Sequence, residues 1–162
     1  MGKRKHFRKI MSLAKLSNVI TQLKAKGKTI VLTTGVFDIF HPGHLYYLEK
    51  ISAFGDILVV GLAADKIINK GSGRPIFNEQ ERQIVLAGLA AVDYPVIFTD
   101  IKEFISQIKP HIWVISPTSN PKHNQEKKDL AIRYNIKIIK LDSSYPLHTS
   151  DIIAKIKEIK EK

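Results

Sequence analysis

The sequence predicts a Rossmann-like, doubly wound α/β domain on a five-stranded parallel sheet, and three observations lead there. Five short, largely apolar runs recur at 29–34, 56–64, 94–99, 111–116 and 136–141, and they read as runs instead of strict alternation. Strands covered on both faces read this way. Segments with helical capping chemistry separate the runs, as βα alternation requires. At 162 residues, without repeats or low-complexity tracts, the chain is the size of a single domain.

The elements follow in order. Ser12 is placed to cap a helix with Leu13, Leu16, Ile20 and Leu23 on one stripe, closed by Gly27. "TIVLTT" (29–34) is the first strand. A helix then runs from Pro42 to about Ala53, with proline at a first-turn position where its missing N–H costs nothing. "DILVVGLAA" (56–64) is the second strand. Asn78 with Glu81 makes a capping box for "EQERQIVLAGLAA", and Asp100 with Glu103 repeats the pattern for "IKEFISQIK" after the strand "YPVIFT". "HIWVIS" is the fourth strand, with Trp113 as a packing residue. Asn124 is expected to cap a helix reaching about Tyr134. "IKIIKL" is the fifth strand, and Thr149 or Ser150 is expected to cap the closing helix "DIIAKIKEIK".

Composition narrows the function classes. Cysteine is absent, which excludes disulfides and thiol catalysis and suits a cytoplasmic location. No window approaches the roughly 18 apolar residues of a membrane span, and the basic start lacks a signal peptide's apolar segment. The net charge is +11, but residues 1–28 hold nine Lys or Arg and no acid, residues 155–162 add four Lys against two Glu, and 29–154 balance. The excess sits at the ends. Residues 1–11 read as a basic, flexible tail and 12–162 as the folded domain. No aromatics interleave with the basic residues as single-stranded nucleic acids require, so a solvated terminus is preferred over a nucleic-acid arm.

The loop after the first strand, "GVFDIFHPGH", carries the chemistry. Open parallel sheets bind ligands beyond the carboxyl ends of their strands. A helix starting at Pro42 offers unpaired N–H groups and the positive end of its dipole to phosphate. Gly35 permits any turn, and Gly43 would let a ligand approach the backbone. His41 and His44, three apart, fall on one side of the first turn and could stabilise charge developing at phosphorus. Two histidines are too few for a structural metal site, and a buried histidine or a simple turn are the other readings.

"TTGVFDIFHPGH" resembles the opening of the cytidylyltransferase-like nucleotidyltransferases, whose hallmark is His-x-Gly-His after a strand ending in G-x-F-D. From about Ile10 onward, "KLSNVITQLKAKGKTIVLTTGVFDIFHPGHLYYLEK", "GDILVVGLAADK" and "GRPIFNEQERQIVLAGLAAVDY" are most similar to heptose 1-phosphate adenylyltransferases. Glycerol-3-phosphate cytidylyltransferases, which begin at the strand, and archaeal-type FAD synthases share the histidine opening.

The resemblance implies a HIGH-type nucleotidyltransferase fold and transfer of a nucleotidyl group, AMP from ATP, to a phosphorylated small molecule such as a sugar phosphate. Pyrophosphate leaves, and Mg²⁺ is held mainly by the triphosphate. It implies His41 and His44 as the catalytic pair, and the backbone at Val36 and Phe37, with Gly43, against the nucleotide. Thr149 and Ser150 match a Ser-Thr-Thr/Ser run that grips the triphosphate, with His148 where that run has serine. Asp38, Lys70 and Arg82 match substrate- or phosphate-binding positions. Lys70 reads equally as a solvated loop lysine, and Arg82 as a surface partner of Glu79. A homodimer is implied; membrane and nucleic-acid partners are not. The chain departs from the family at Ser116–Asn124, where relatives carry Gly-x-Asp-Tyr or Gly-Asp-Asp-Trp, so the acceptor is left open. It also lacks the arginine that cytidylyltransferases place before the Ser-Thr run, which favours ATP over CTP. A cytidylyltransferase or FAD synthase-like activity, and a nucleotide-binding protein without turnover, are the alternatives.

Overall fold

The computed structural model of the chain describes residues 8–116, 124–141 and 145–159. Five strands, β1 (Ile30–Gly35), β2 (Ile57–Ala63), β3 (Tyr94–Phe98), β4 (Ile112–Ile115) and β5 (Lys137–Lys140), form one sheet in the order β3-β2-β1-β4-β5. Every pairing is parallel, with Leu32 beside Val59 on one flank of β1 and Trp113 on the other. The helices are α1 (Leu13–Ala25), α2 (Pro42–Ser52), α3 (Glu79–Ala87), α4 (Ile101–Ile108), α5 (Asn124–Arg133) and α6 (Thr149–Glu158). Among the described residues no helix is long and apolar enough to cross a membrane.

The apolar runs of the inner strands are explained by two cores, one on each face of the sheet; β5, at the edge, exposes Lys137 and Lys140. Ile30 and Leu32 of β1 and Val59 of β2 point to a cluster with Leu16 and Ile20 of α1, Phe104 of α4 and Trp113. Val31 of β1 and Leu58, Val60 and Leu62 of β2 point to the other, with Leu48 and Ile51 of α2 and Leu86 of α3. Successive side chains alternate faces, so a strand buried on both sides must be apolar throughout. The stripe on α1 behaves as expected: Leu16 and Ile20 are buried, while Leu13 and Leu23 pack at the margin.

Local chemistry sets most ends. Ser12 Oγ accepts from the Lys15 N–H at the start of α1, and Gly27 follows its end with φ +77°. The Asn78–Glu81 capping box of α3 is complete, but that helix stops at Ala87, with Gly88 as its C-cap, instead of reaching Ala91. Two cap assignments need correction. Asn124 is itself helical, the first residue of α5. Thr149 and Ser150 are the first two residues of α6, whose cap is His148; Asp151 Oδ2 accepts the His148 backbone N–H at 2.9 Å. The basic tail is also shorter than 1–11. Lys9 Nζ donates to the carbonyls of Leu89 and Val92 at 2.8 and 2.7 Å, and Met11 packs on the core. Residues 1–7 and 117–123, the latter inside the divergent acceptor segment, lie outside the described residues.

The order β3-β2-β1-β4-β5 puts the topological switch between β1 and β4, where successive crossovers turn to opposite faces. The loop 35–44 leaves β1 at that point, on the carboxyl edge, where such sheets hold ligands.

Candidate active site

A cleft of about 1280 Å³ opens along the carboxyl ends of the strands. Its walls include Gly35 at the end of β1 and Val36 to Asp38 after it, Ala63 of β2, Phe98 of β3 and Ser116 after β4, with the first residues of α2 and α6. The two helix starts abut: a Cβ placed on Gly43 would stand 3.2 Å from the Leu147 carbonyl oxygen.

The histidines are built into the start of α2. His41 is its N-cap, with extended backbone (φ −143°, ψ 167°), and its Nδ1 accepts the Gly43 N–H at 3.2 Å. That bond fixes the tautomer, leaving the proton of the neutral ring on Nε2. The His44 ring stacks on His41 with centroids 3.8 Å apart and meets Phe37 edge-on at 5.2 Å. Burial, then the His41 charge, then Lys70 push the His44 imidazole down to about 4, against a weaker upward pull from Asp38. His41 is lowered as well, first by burial and then by His148, with Asp151 opposing. His44 Nδ1 is buried without a hydrogen-bond partner among the described residues. At neutral pH His44 is therefore an uncharged ring in the cleft wall.

Three of the expected roles change on contact with this geometry. The space above Gly43 is taken by its neighbour: an added Cβ would lie 2.9 Å from His41 Cε1, so the glycine makes room for the His41 ring instead of for a ligand. The turn after β1 is made by Phe37, with φ +49°, and not by Gly35. A Cβ on Gly35 would lie 2.7 Å from Phe37 Cε2, so this glycine admits the ring folding back over it. The Val36 carbonyl accepts from Arg82 Nη1 and is thereby already satisfied within the fold.

Asp38 and Arg82 are internal clamps. Asp38 is 3% exposed; its Oδ1 accepts from the N–H groups of Ile76 and Phe77 at 2.7 and 3.3 Å, and its Oδ2 from Arg74 Nε at 2.6 Å. Both oxygens are committed to holding the 74–77 loop against the histidine loop. Arg82 is 1% exposed and does not line the cleft. Its Nε donates to Phe77 O at 3.0 Å and its Nη2 to Ala63 O at 2.9 Å, while the guanidinium also bonds the Val36 carbonyl and pairs with Asp65. With those donors engaged inside the fold it stands as a clamp, and it does not pair with Glu79, whose backbone N–H bonds Asp65 Oδ2 at 3.1 Å. Arg82 thereby ties the ends of β1 and β2 to α3.

Lys70 stands on the cleft rim, its ammonium lowered by partial burial first and by Arg74 next, with Asp38 opposing. Thr149, Ser150 and His148 line the wall at the start of α6. Sequence reasoning missed Arg74 and Tyr47. The Tyr47 hydroxyl lies 2.8 Å from Thr33 Oγ1 and donates to Val114 O at 3.3 Å, and burial raises it to about 12. It bridges β1 and β4 below the cleft as a neutral group. Among the described residues no three His, Asp or Glu side chains gather into a metal site.

The family described as Cytidylyltransferase-like matches residues 32–155. The bifunctional protein HldE of Haemophilus influenzae is 38% identical over 157 residues, which are 94% of this chain and 33% of that protein. The chain thus spans about a third of the curated relatives it matches. The lipopolysaccharide core biosynthesis protein from Thermoplasma volcanium shares the fold at a TM-score of 0.65 with 30% identity, covering 74% of this chain and 99% of that one. Pantoate-beta-alanine ligase from Francisella tularensis, solved with beta-gamma ATP and beta-alanine, has a TM-score of 0.60 over 93% of this chain and 78% of its own; at 15% identity the likeness is one of fold alone.

Proposed function

The chain belongs to the cytidylyltransferase-like family of nucleotidyltransferases, and from that premise we propose that it transfers AMP from ATP to a sugar phosphate. The observation that carries the reading is the stacked, neutral His41–His44 pair at the start of α2, with a donor hydrogen on His41 Nε2. A phosphate oxygen of the acceptor forms a bond to the α-phosphorus. The bond from that phosphorus to the bridging oxygen breaks, and its electron pair leaves on pyrophosphate. The nucleophile is already an anion, so no base has to remove a proton from it. What the step needs is alignment and stabilisation of charge at phosphorus, which fixed donors in a cleft supply.

Mg²⁺ belongs to this proposal as part of the triphosphate substrate, where it would offset phosphate charge. Both Asp38 oxygens are already committed, which supports a metal held by phosphate oxygens instead of a protein cage. Lys70, Thr149 and Ser150 are the groups we assign to the triphosphate. The choice of ATP rests on the similarity to HldE-type chains and on the missing arginine before "HTSD". A homodimer and a cytoplasmic location are part of the same proposal, and sedimentation of the purified chain tests the first.

The direct test is pyrophosphate release from ATP, CTP and GTP across sugar 1-phosphates, glycerol 3-phosphate and FMN. Turnover with ATP and a sugar phosphate supports the reading. Turnover only with CTP and glycerol 3-phosphate, or only with FMN, overturns the substrate assignment. Triphosphate binding without any release overturns the enzyme reading in favour of a nucleotide-binding protein.

A further inference from the structure

We propose that the amino edge of the sheet, opposite the cleft, is a cationic face that seats the protein on an anionic lipid surface. Along the chain, residues 29–154 balance in charge, but the fold parts the two signs. In a parallel sheet each crossover helix starts at the carboxyl edge and ends at the amino edge, beside the start of the next strand. Asp38, Asp65 and Asp100 accordingly follow β1, β2 and β3 at the carboxyl edge, with Glu126 in the first turn of α5. Lys26 caps the end of α1, Lys109 that of α4, Arg133 ends α5 and Lys137 opens β5, all at the amino edge and all exposed.

These cations form one patch. Lys24 Nζ donates to the carbonyls of Ile108, at 2.9 Å, and Lys109, and its ammonium is lowered by burial first and by the Lys109 charge next. His111 is lowered by burial and then by Lys24, and its carbonyl accepts the Lys137 N–H at 3.0 Å. Lys109 Nζ and Arg133 Cζ lie 5.7 and 5.6 Å from the centre of the Tyr134 ring. Lys9, bonded to the Leu89 and Val92 carbonyls shortly before β3, brings the basic start of the chain to the same edge. Two acids of this edge are engaged: Asp56 pairs with Lys28 at 3.0 Å, and Asp93 Oδ2 accepts the Leu58 N–H at 2.8 Å. Helix dipoles favour cations at helix ends and account for part of the pattern. They do not account for Lys137, which is on a strand, or for Lys109, held at φ +43° where glycine is free of strain. Nor do they account for Ile132, 81% exposed in the last turn of α5 and the most exposed large apolar side chain among the described residues. An isoleucine beside Arg133 and a half-buried tyrosine suits a bilayer interface, where it enters the acyl boundary while the cations meet headgroup phosphates. Nucleic acid is served less well, because the Tyr134 ring is already engaged by two cations instead of standing open to a base. Seated this way, the chain keeps its cleft turned to solvent, so the proposal stands apart from the reaction proposed above.

Co-sedimentation of the full chain with vesicles of phosphatidylglycerol and phosphatidylcholine in equal parts tests this. The chain should pellet with the mixed vesicles and not with phosphatidylcholine alone, and should come off as salt is raised. A cation near an anionic surface is worth roughly fivefold in affinity, so Lys109→Gln, Arg133→Gln and Lys137→Gln together should weaken binding by roughly a hundredfold. Melting temperature and ATP affinity should stay unchanged in that triple variant, since all three side chains are exposed and none lines the cleft. Ile132→Ser, which removes no charge, should weaken vesicle binding and leave the binding of a single-stranded RNA oligonucleotide as it was. Failure of the unaltered chain to pellet with the mixed vesicles overturns the proposal, as does equal pelleting with phosphatidylcholine alone. Vesicle binding unchanged in the triple variant assigns the attraction to residues 1–7 and overturns it too, and binding unchanged in Ile132→Ser removes the ground for a bilayer. Tighter binding of the oligonucleotide than of the mixed vesicles overturns it in favour of a nucleic-acid face.

Discussion

Replacing Arg82 with methionine separates a clamp from a phosphate ligand. Methionine keeps much of the volume and removes every donor. Three partly buried carbonyls, of Phe77, Val36 and Ala63, lose their hydrogen-bond partner, and Asp65 loses its counter-charge. A stranded buried acceptor costs about 1–3 kcal/mol, and these partly buried ones fall toward the lower end of that range. The Asp65 side chain is 38% exposed and can rehydrate, so its share is small. The total expected is about 3–5 kcal/mol, the size of breaking a buried ion pair. In a protein of this length that lowers the melting temperature by roughly 6–20 °C. Thermal and urea unfolding measure the loss, and ATP calorimetry well below the lowered transition measures what remains of the cleft. The expected result is a large fall in stability with ATP affinity reduced no more than about tenfold. Arg82→Lys should recover little, since one ammonium cannot span three carbonyls. A melting temperature within about 1 °C of the unaltered protein, together with lost ATP binding, would refute the clamp and return Arg82 to the phosphates.

Why that residue was misread is instructive. The sheet was legible because its evidence is local: a strand buried on both faces has to be continuous, and Asn78 with Glu81 or Ser12 before Leu13 announces a helix within four positions. The histidine loop was legible because spacing within one turn fixes which side chains meet, and His41 and His44 do stack. Arg82 was not, because its partners lie 5, 17, 19 and 46 positions away and only the fold assembles them. Asp38 has the same problem, its oxygens being filled from the 74–77 loop. A charged residue in a motif looks like a ligand until its hydrogen-bonding capacity is counted. Gly43 shows the converse: the missing side chain was legible, but not that the His41 ring would fill the space. The end of the basic tail was hidden for a further reason, since Lys9 finds two carbonyls beyond α3 that no local pattern announces.

The remaining predictions concern the histidine wall. His41→Ala or His44→Ala should lower kcat by about 10²–10³ while changing ATP affinity modestly, since their contacts strengthen in the transition state; unaltered turnover per folded molecule would make the pair structural. Gly43→Val should resemble His41→Ala in kcat, because the new side chain displaces the His41 ring; a loss confined to ATP binding would restore the ligand-approach reading. The apo protein should lose stability as pH falls from the usual imidazole range near 6.5 toward the value of about 4 held by His44. The unfolded chain binds the extra proton throughout that window, so the slope has this sign, and His44→Ala should flatten it. The same depression makes triphosphate binding proton-linked. Burial, His41 and Lys70 hold the empty His44 site neutral, with Asp38 alone pulling the other way. A bound triphosphate adds negative charge beside both imidazoles and raises their proton affinity. Binding at a pH of about 5–6.5 should therefore take up protons and tighten as pH falls, whereas above roughly 7.5 neither ring gains one. Calorimetry in buffers of different ionisation enthalpy reads the uptake directly. No uptake in that window, or proton release, would mean that the triphosphate does not lie against His41 and His44.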